Sequence, residues 1–301
     1  MNVIETRDLG KRYRGTWALR HCTLAIPAGR VVALVGPNGA GKTTLLNLAA
    51  GLTRPTSGEL SVLGDEQPGS PAALAGIGYV AQDMPLYRSL SVADTLHLAR
   101  NLNRSWDQSY AESRMTELGI PFKKAVGGLS GGQQAQLALA IALAKRPRAL
   151  VLDEPLARLD PLARHEVMAM LMAAVAEQSL SLVLSSHVVS ELERLADYLI
   201  VLNAGRLQVA GGVDELLKGH LVLTGPADKI TQHAERLPVV QLTRSGSLAH
   251  LLVRVPAGAE LSLDGCTVHQ VGLEELVLGY LRQPTATALP GPAHAEPLVA
   301  P

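Results

Sequence analysis

The chain has 301 residues, 47% of them hydrophobic, which suffices for one large domain or two smaller ones. Its 27 basic residues balance 27 acidic ones, which excludes a global pull toward nucleic acid or anionic lipid. Two distant cysteines, Cys22 and Cys266, flank no metal-ligand spacing and suit a reducing compartment. The first residues carry no apolar leader, and the longest apolar run, Val167–Ala176, is well short of the roughly 20 residues that span a bilayer. A role at a membrane is therefore expected to come through a partner.

Residues 1–30 read as short strands, VIETRDL and TLAIP, punctuated by Gly15 and by Pro27–Gly29. The continuous apolar run VVALV, 31–35, suits a strand buried on both faces of a sheet. Gly36–Gly41 follows as a loop, and Lys42–Leu52 as a helix. From about Met84 to Lys145 the chain is strand-poor, with helical composition at Asp94–Leu102 and Gln133–Ala144 around a Gly-rich stretch, 127–132. Alternation then returns: ALVLDEP as strand and turn, Pro161–Gln178 as helix, SLVLSSH as strand, Val188–Tyr198 as helix, and a hairpin from YLIVLNAGRL. That order predicts an α/β core interrupted by a helical insertion. From about Gly219, the strand candidates LVLTG, VVQLTR, LLVRVP and CTVHQV and the helix candidates Asp228–Arg236 and Leu273–Leu281 predict a small α+β unit of about 65 residues. The Pro/Ala/Thr-rich end, 284–301, predicts a disordered tail.

Two motifs carry chemistry. Gly36-Pro37-Asn38-Gly39-Ala40-Gly41-Lys42-Thr43 fits G-x-x-x-x-G-K-[ST], after an apolar strand and before a helix. Its glycines let backbone N–H groups turn inward on phosphate oxygens, and the helix N-terminus adds its positive end. Lys42 brings a point charge to the β- and γ-phosphates of ATP, and the Thr43 hydroxyl is a Mg²⁺ ligand. Asp153 and Glu154 end the strand ALVL, where ligands of parallel sheets gather. Asp153 can thus reach the metal, and Glu154 can polarise an attacking water.

Leu129-Ser130-Gly131-Gly132-Gln133, about 90 residues after the loop and about 20 before Asp153, resembles the signature of ABC-transporter ATPases, in order and in spacing. The resemblance covers roughly residues 2–217. It implies an α/β fold: a P-loop NTPase core of ABC type with an N-terminal antiparallel β subdomain and an inserted helical subdomain, here followed by the small C-terminal α+β unit. The expected division is 1–218 for the ATPase, with the insertion at about 84–145, and 219–283 for the accessory unit. The resemblance implies further roles. Tyr13 stacks on adenine, and Thr44 joins the loop in binding nucleotide. Gln82 contacts Mg²⁺ and water. Ser130, Gly131, Gly132 and Gln133 close on the nucleotide of another subunit, and Asp160 lies at the subunit junction. His187 meets the γ-phosphate. Departures from the family's usual residues stand at Gln134, Gln136, Ile141 and Arg158.

The function this implies is ATP hydrolysis, with ATP and Mg²⁺, powering a separately encoded polytopic permease at the cytoplasmic face of the membrane. A second nucleotide-binding subunit, as a homodimer, is expected, and no direct nucleic-acid contact. The closing helix LEELVLGYL resembles a stretch of multidrug and related export ATPases and favours an exporter. An import ATPase is the alternative, as is a soluble ABC ATPase acting on nucleic acid or the ribosome. One ATPase unit, no basic tract and no coiled-coil or zinc insertion argue against the soluble one.

Overall fold

A computed structural model describes residues 1–157, 159–178, 180–189, 192–193, 195–256 and 265–283. Two long strands open the chain, β1 (Asn2–Tyr13) and β2 (Thr16–Pro27). Arg14 and Gly15 join them at φ 44° and 93°, the left-handed pair that a two-residue hairpin turn requires. With β4 (Ser57–Val62) they form an antiparallel sheet in the order β2-β1-β4.

The central sheet has six strands in the order β5-β6-β7-β3-β8-β9. They are β3 (Val31–Val35), β5 (Ile77–Val80), β6 (Ala149–Leu152), β7 (Ser181–Ser186), β8 (Tyr198–Asn203) and β9 (Arg206–Gly212). All run parallel except β9, which closes one edge as a hairpin with β8. The period of two along each strand sorts side chains to opposite faces. Val32, Leu34, Ala149, Val151 and Val183 face α1 (Lys42–Ala49) and the antiparallel sheet, whereas Val31, Ala33, Val35, Leu150, Leu152, Leu182 and Leu184 face the other core. The apolar runs of the sequence are thus strands buried on both sides.

A six-residue helix, α2 (Pro71–Gly76), leads into β5. Between β5 and β6 lie only helices among the described residues: α3 (Val92–Leu102), α4 (Gln108–Glu117) and α5 (Gly131–Ala144). Val92, Leu96, Ala111, Met115 and Ile120 pack with Leu137, Ala140 and Ala144 as the core of this insertion. The rest of α5, including Ala135, Leu139 and Leu143, belongs to the main core. A helix that is apolar all round is buried on two sides; α5 is that bridge. Its residues at the unusual positions have structural work: Gln134 Nε2 donates to the Leu129 carbonyl at 3.1 Å, Gln136 Nε2 to Glu166 Oε2 at 2.8 Å, and Ile141 packs in the insertion. Arg158 lies outside the described residues.

α6 (Pro161–Gln178) returns the chain to β7. The helix expected over Val188–Tyr198 is not formed among the described residues; 190, 191 and 194 lie outside them. Its end is committed elsewhere. The Asp197 carboxylate accepts from the Val31 N–H at 3.0 Å, its own N–H donates to the Val31 carbonyl at 3.0 Å, and Tyr198 already belongs to β8.

A short helix, α7 (Val213–Lys218), links to β10 (His220–Pro226). Three further strands, β11 (Val239–Ser245), β12 (Leu248–Arg254) and β13 (Thr267–Gln270), complete an antiparallel sheet ordered β11-β12-β10-β13. α8 (Ala227–Ala234) covers one face, with Ile230 against Leu223, Leu251 and Val253. α9 (Leu273–Arg282) covers the other, where Val222, Leu252, Leu276, Val277 and Tyr280 share one core with Leu199, Val201, Val209 and Leu216. The tail, 284–301, lies outside the described residues.

Candidate nucleotide site

The phosphate loop leaves β3 at Gly36, and α1 begins at Lys42. Gly41 caps the helix at φ 103°, and a Cβ there would stand 2.6 Å from the Ala18 carbonyl oxygen, so the close approach of β2 demands glycine. No side chain caps α1, so its first-turn N–H groups remain available to an anion.

The Lys42 side chain is buried and turns back over the loop. Its Nζ donates to the Gly36 carbonyl at 2.7 Å and lies 3.1 Å from Glu154 Oε1. The other carboxylate oxygen of Glu154 sits 2.8 Å from His187 Nδ1. One buried carboxylate thus joins the phosphate-loop lysine to the histidine beyond β7, whose side chain is half exposed. Glu154 holds a φ of 49°, which is uncommon for a residue with a side chain, and such backbone strain collects at functional positions.

Asp153, one residue earlier, is fully buried. Its Oδ1 accepts from the Ser185 hydroxyl at 2.7 Å, while its Oδ2 finds no hydrogen-bond partner among the described residues. A buried, unpartnered carboxylate oxygen is costly unless a cation or a donor meets it. The donor set of Asp153, the Thr43 hydroxyl and the Gln82 amide is all oxygen and therefore fits a hard cation such as Mg²⁺. Thr43 and Gln82 are both exposed.

Two tyrosines differ in setting. Tyr13 stands 45% exposed beside the β1–β2 turn, with Lys11 Nζ 4.9 Å from its ring centroid. Tyr79, on β5, donates its hydroxyl to Asn47 Oδ1 on α1 at 2.7 Å. Burial pushes the Tyr79 phenol above its usual range, and the charges of Asp153 and Asp83 push the same way.

Ser130 caps α5. Its hydroxyl accepts from the Gln133 N–H at 3.1 Å, and Gln133 Oε1 accepts in return from the Ser130 N–H at 3.2 Å. Gly131 and Gly132 form the first turn. No hydrogen bond or ion pair among the described residues links this cap to the phosphate loop. Asp160 likewise serves locally, its Oδ1 accepting from the Ala163 N–H at 2.9 Å at the start of α6. The fold therefore brings Lys42, Asp153, Glu154 and His187 together and leaves Tyr13, Gln82, Ser130–Gln133 and Asp160 exposed. Sequence reasoning missed Ser185 and the Asn47–Tyr79 link. The first had a faint signal, a hydroxyl two places before His187 at the end of a buried strand.

The sequence profile of the family described as "ABC transporter" matches residues 19–157. The thiamine import ATP-binding protein ThiQ of Salmonella typhimurium is 37% identical over 213 residues, which cover 68% of this chain and 91% of that protein. The spermidine/putrescine import ATP-binding protein PotA of Spiroplasma citri is 36% identical over 220 residues, 71% of this chain and 63% of that one. Among solved structures, an ATP-binding subunit of an ABC transporter superposes with a TM-score of 0.64 at 26% identity, covering 71% of this chain and 91% of its own. A dimeric bacterial ABC transporter cassette, MJ0796, gives 0.63 at 25% identity, with 70% and 98% covered. The expected likeness to export ATPases finds no support here, since the similar proteins named are import ATPases. By these relationships and this fold, the chain belongs to the ATP-binding subunits of ABC transporters and is an ATPase.

Proposed function

We propose that two copies of this chain, or one copy and a close relative, face each other head to tail and hydrolyse ATP to drive a separately encoded polytopic permease at the cytoplasmic face of a membrane. Lys42 and the amides of Gly36, Pro37, Asn38, Gly39, Ala40, Gly41, Thr43 and Thr44 hold the phosphates, and Tyr13 stacks on the adenine. Ser130, Gly131, Gly132 and Gln133 of the second copy close on the γ-phosphate, with Asp160 at the junction. Their exposure supports that reading, because a cap with no partner in its own chain is free to meet another.

The observation that carries the proposal is the buried Glu154 carboxylate, held between Lys42 Nζ at 3.1 Å and His187 Nδ1 at 2.8 Å. A base so placed accepts a proton from the attacking water, and His187 stabilises charge developing on the γ-phosphate. Thr43, Gln82 and Asp153 would hold Mg²⁺, which when bound neutralises phosphate charge. Closure of the pair excludes water, and loss of the γ-phosphate reopens it. The insertion at about 84–145 carries that motion to the permease, which docks near Gln82. In this scheme residues 1–218 are the motor and 219–283 an accessory unit.

The names of the similar proteins favour uptake over export. Among the described residues no helix is long and apolar enough to cross a membrane, so the path for cargo must be built by the partner. Purification of the tagged chain from native membranes tests the proposal. A polytopic protein without its own ATP site, together with an extracytoplasmic solute-binding protein, supports uptake. A permease alone points to export, and ribosomes or DNA without a permease overturn the transport reading.

A further inference from the structure

The central sheet brings one hydroxyl to both acidic residues of the site. Leu152 of β6 lies opposite Leu184 of β7 in the parallel register, so the next step along each strand sets Asp153 beside Ser185. Ser185 is fully buried. Its Oγ donates to Asp153 Oδ1 at 2.7 Å and accepts from the Glu154 N–H at 2.8 Å. A hydroxyl has a single proton. With a lone pair turned to the Glu154 amide, that proton is committed to Oδ1.

We propose that Ser185 is a positioning residue for both carboxylates, presenting Asp153 Oδ2 to the catalytic divalent cation and holding Glu154 in its left-handed turn between Lys42 and His187. Two observations support it independently. Oδ2 is the carboxylate oxygen left unpartnered, as it must be if Oδ1 is the one tied down. The φ of 49° at Glu154 removes its N–H from the direction of a β-ladder, and Ser185 supplies the acceptor that this amide would otherwise lack. The neighbouring hydroxyl, Ser186, has a different task, bonding only the backbone of Val188. The inference rests on Asp153 being a metal ligand.

Mn²⁺ binding, read by electron paramagnetic resonance on the full chain with a non-hydrolysable ATP analogue, tests it. Ser185→Ala is expected to weaken Mn²⁺ about 10–100-fold, as loss of a group behind a metal ligand does. Turnover falls with it, while affinity for the metal-free nucleotide stays near the parent's. Ser185→Thr, which keeps the hydroxyl, restores most of the Mn²⁺ affinity, and Ser186→Ala leaves it unchanged. Should Ser185→Ala not fold, Ser185→Cys, close in volume and a weak donor, replaces it with the same expected loss. Asp153→Asn separates the two ideas. If it binds Mn²⁺ as the parent does, the metal reading falls, and the role of Ser185 with it. If it loses Mn²⁺ while Ser185→Ala keeps parental affinity, the metal reading stands and Ser185 is overturned.

Discussion

Replacing Glu154 by Gln removes a charge while keeping shape. Lys42 Nζ and Glu154 Oε1 are 3.1 Å apart, and both side chains are more than nine-tenths buried. At an effective dielectric constant of ~20, two unit charges at that distance attract by about 5 kcal/mol. Desolvation offsets a large share of this, and the Gly36 carbonyl still accepts from Lys42 at 2.7 Å. The net loss without nucleotide is therefore about 1–3 kcal/mol, the cost of a poorly satisfied buried polar group. Melting should fall by about 2–4 °C for each kcal/mol. ATP supplies the missing anion to Lys42, so the Glu154→Gln protein should gain more from ATP in a thermal-shift assay than the parent does. Turnover, measured as phosphate release, should drop ~10²–10⁴-fold with ATP binding retained. Phosphate release close to the parental rate would remove Glu154 from the role of base. An ATP-induced shift no larger than the parent's would refute the account of Lys42.

Gly36→Ala places a Cβ against the Leu202 carbonyl and Ala40, so overpacking should cost about 1–3 kcal/mol in a denaturant melt and weaken ATP binding measured by fluorescence. His220 is buried, with Nδ1 2.6 Å from the Leu216 carbonyl and Nε2 2.8 Å from the Tyr280 hydroxyl. Burial holds its pKa below 6.5. The unfolded chain therefore binds the proton more readily than the folded one. Stability from this group is full above pH 6.5 and lost as pH falls through the depressed folded value; melting curves between pH 8 and 5 should show the decline, and His220→Gln should flatten it. Burial also pushes the Cys22 thiol up to about 12, so at pH 8 an alkylating reagent should modify Cys266 first, with Cys22 reacting only on denaturation.

Motifs with fixed spacing were legible because their chemistry is local. A strand, six loop residues and a lysine-led helix write the phosphate loop into consecutive positions, and Ser130 with Gln133 writes a helix cap three residues long. Strand lengths were less legible. β1 and β2 run to 12 residues each, because hairpin pairing extends past the short apolar stretches that sequence alternation marks. α4 escaped notice, since only Ala111 and Met115 of its ten residues are buried and its composition is polar. The helix expected at Val188–Tyr198 failed for a tertiary reason, the pairing of Asp197 with Val31. Ser185 could not be found by spacing, as its meaning depends on a residue 32 positions away in another strand. The direction of transport was misjudged because one amphipathic helix is a poor marker. α9 owes its pattern to packing Leu276, Val277 and Tyr280 inward.

The seam between the two sheets carries a consequence for how the chain melts. β10 to α9 lie on their own sheet, yet their apolar residues are continuous with those of β8, β9 and α7. At the end of that seam Asn203 Nδ2 donates to the Leu281 carbonyl at 2.8 Å. Two residues on, the Gly205 N–H donates to the Ala40 carbonyl in the phosphate loop at 3.1 Å. The two sheets therefore do not behave as beads on a string: heating should give one calorimetric transition, and nucleotide bound at one end should raise the melting point of the other.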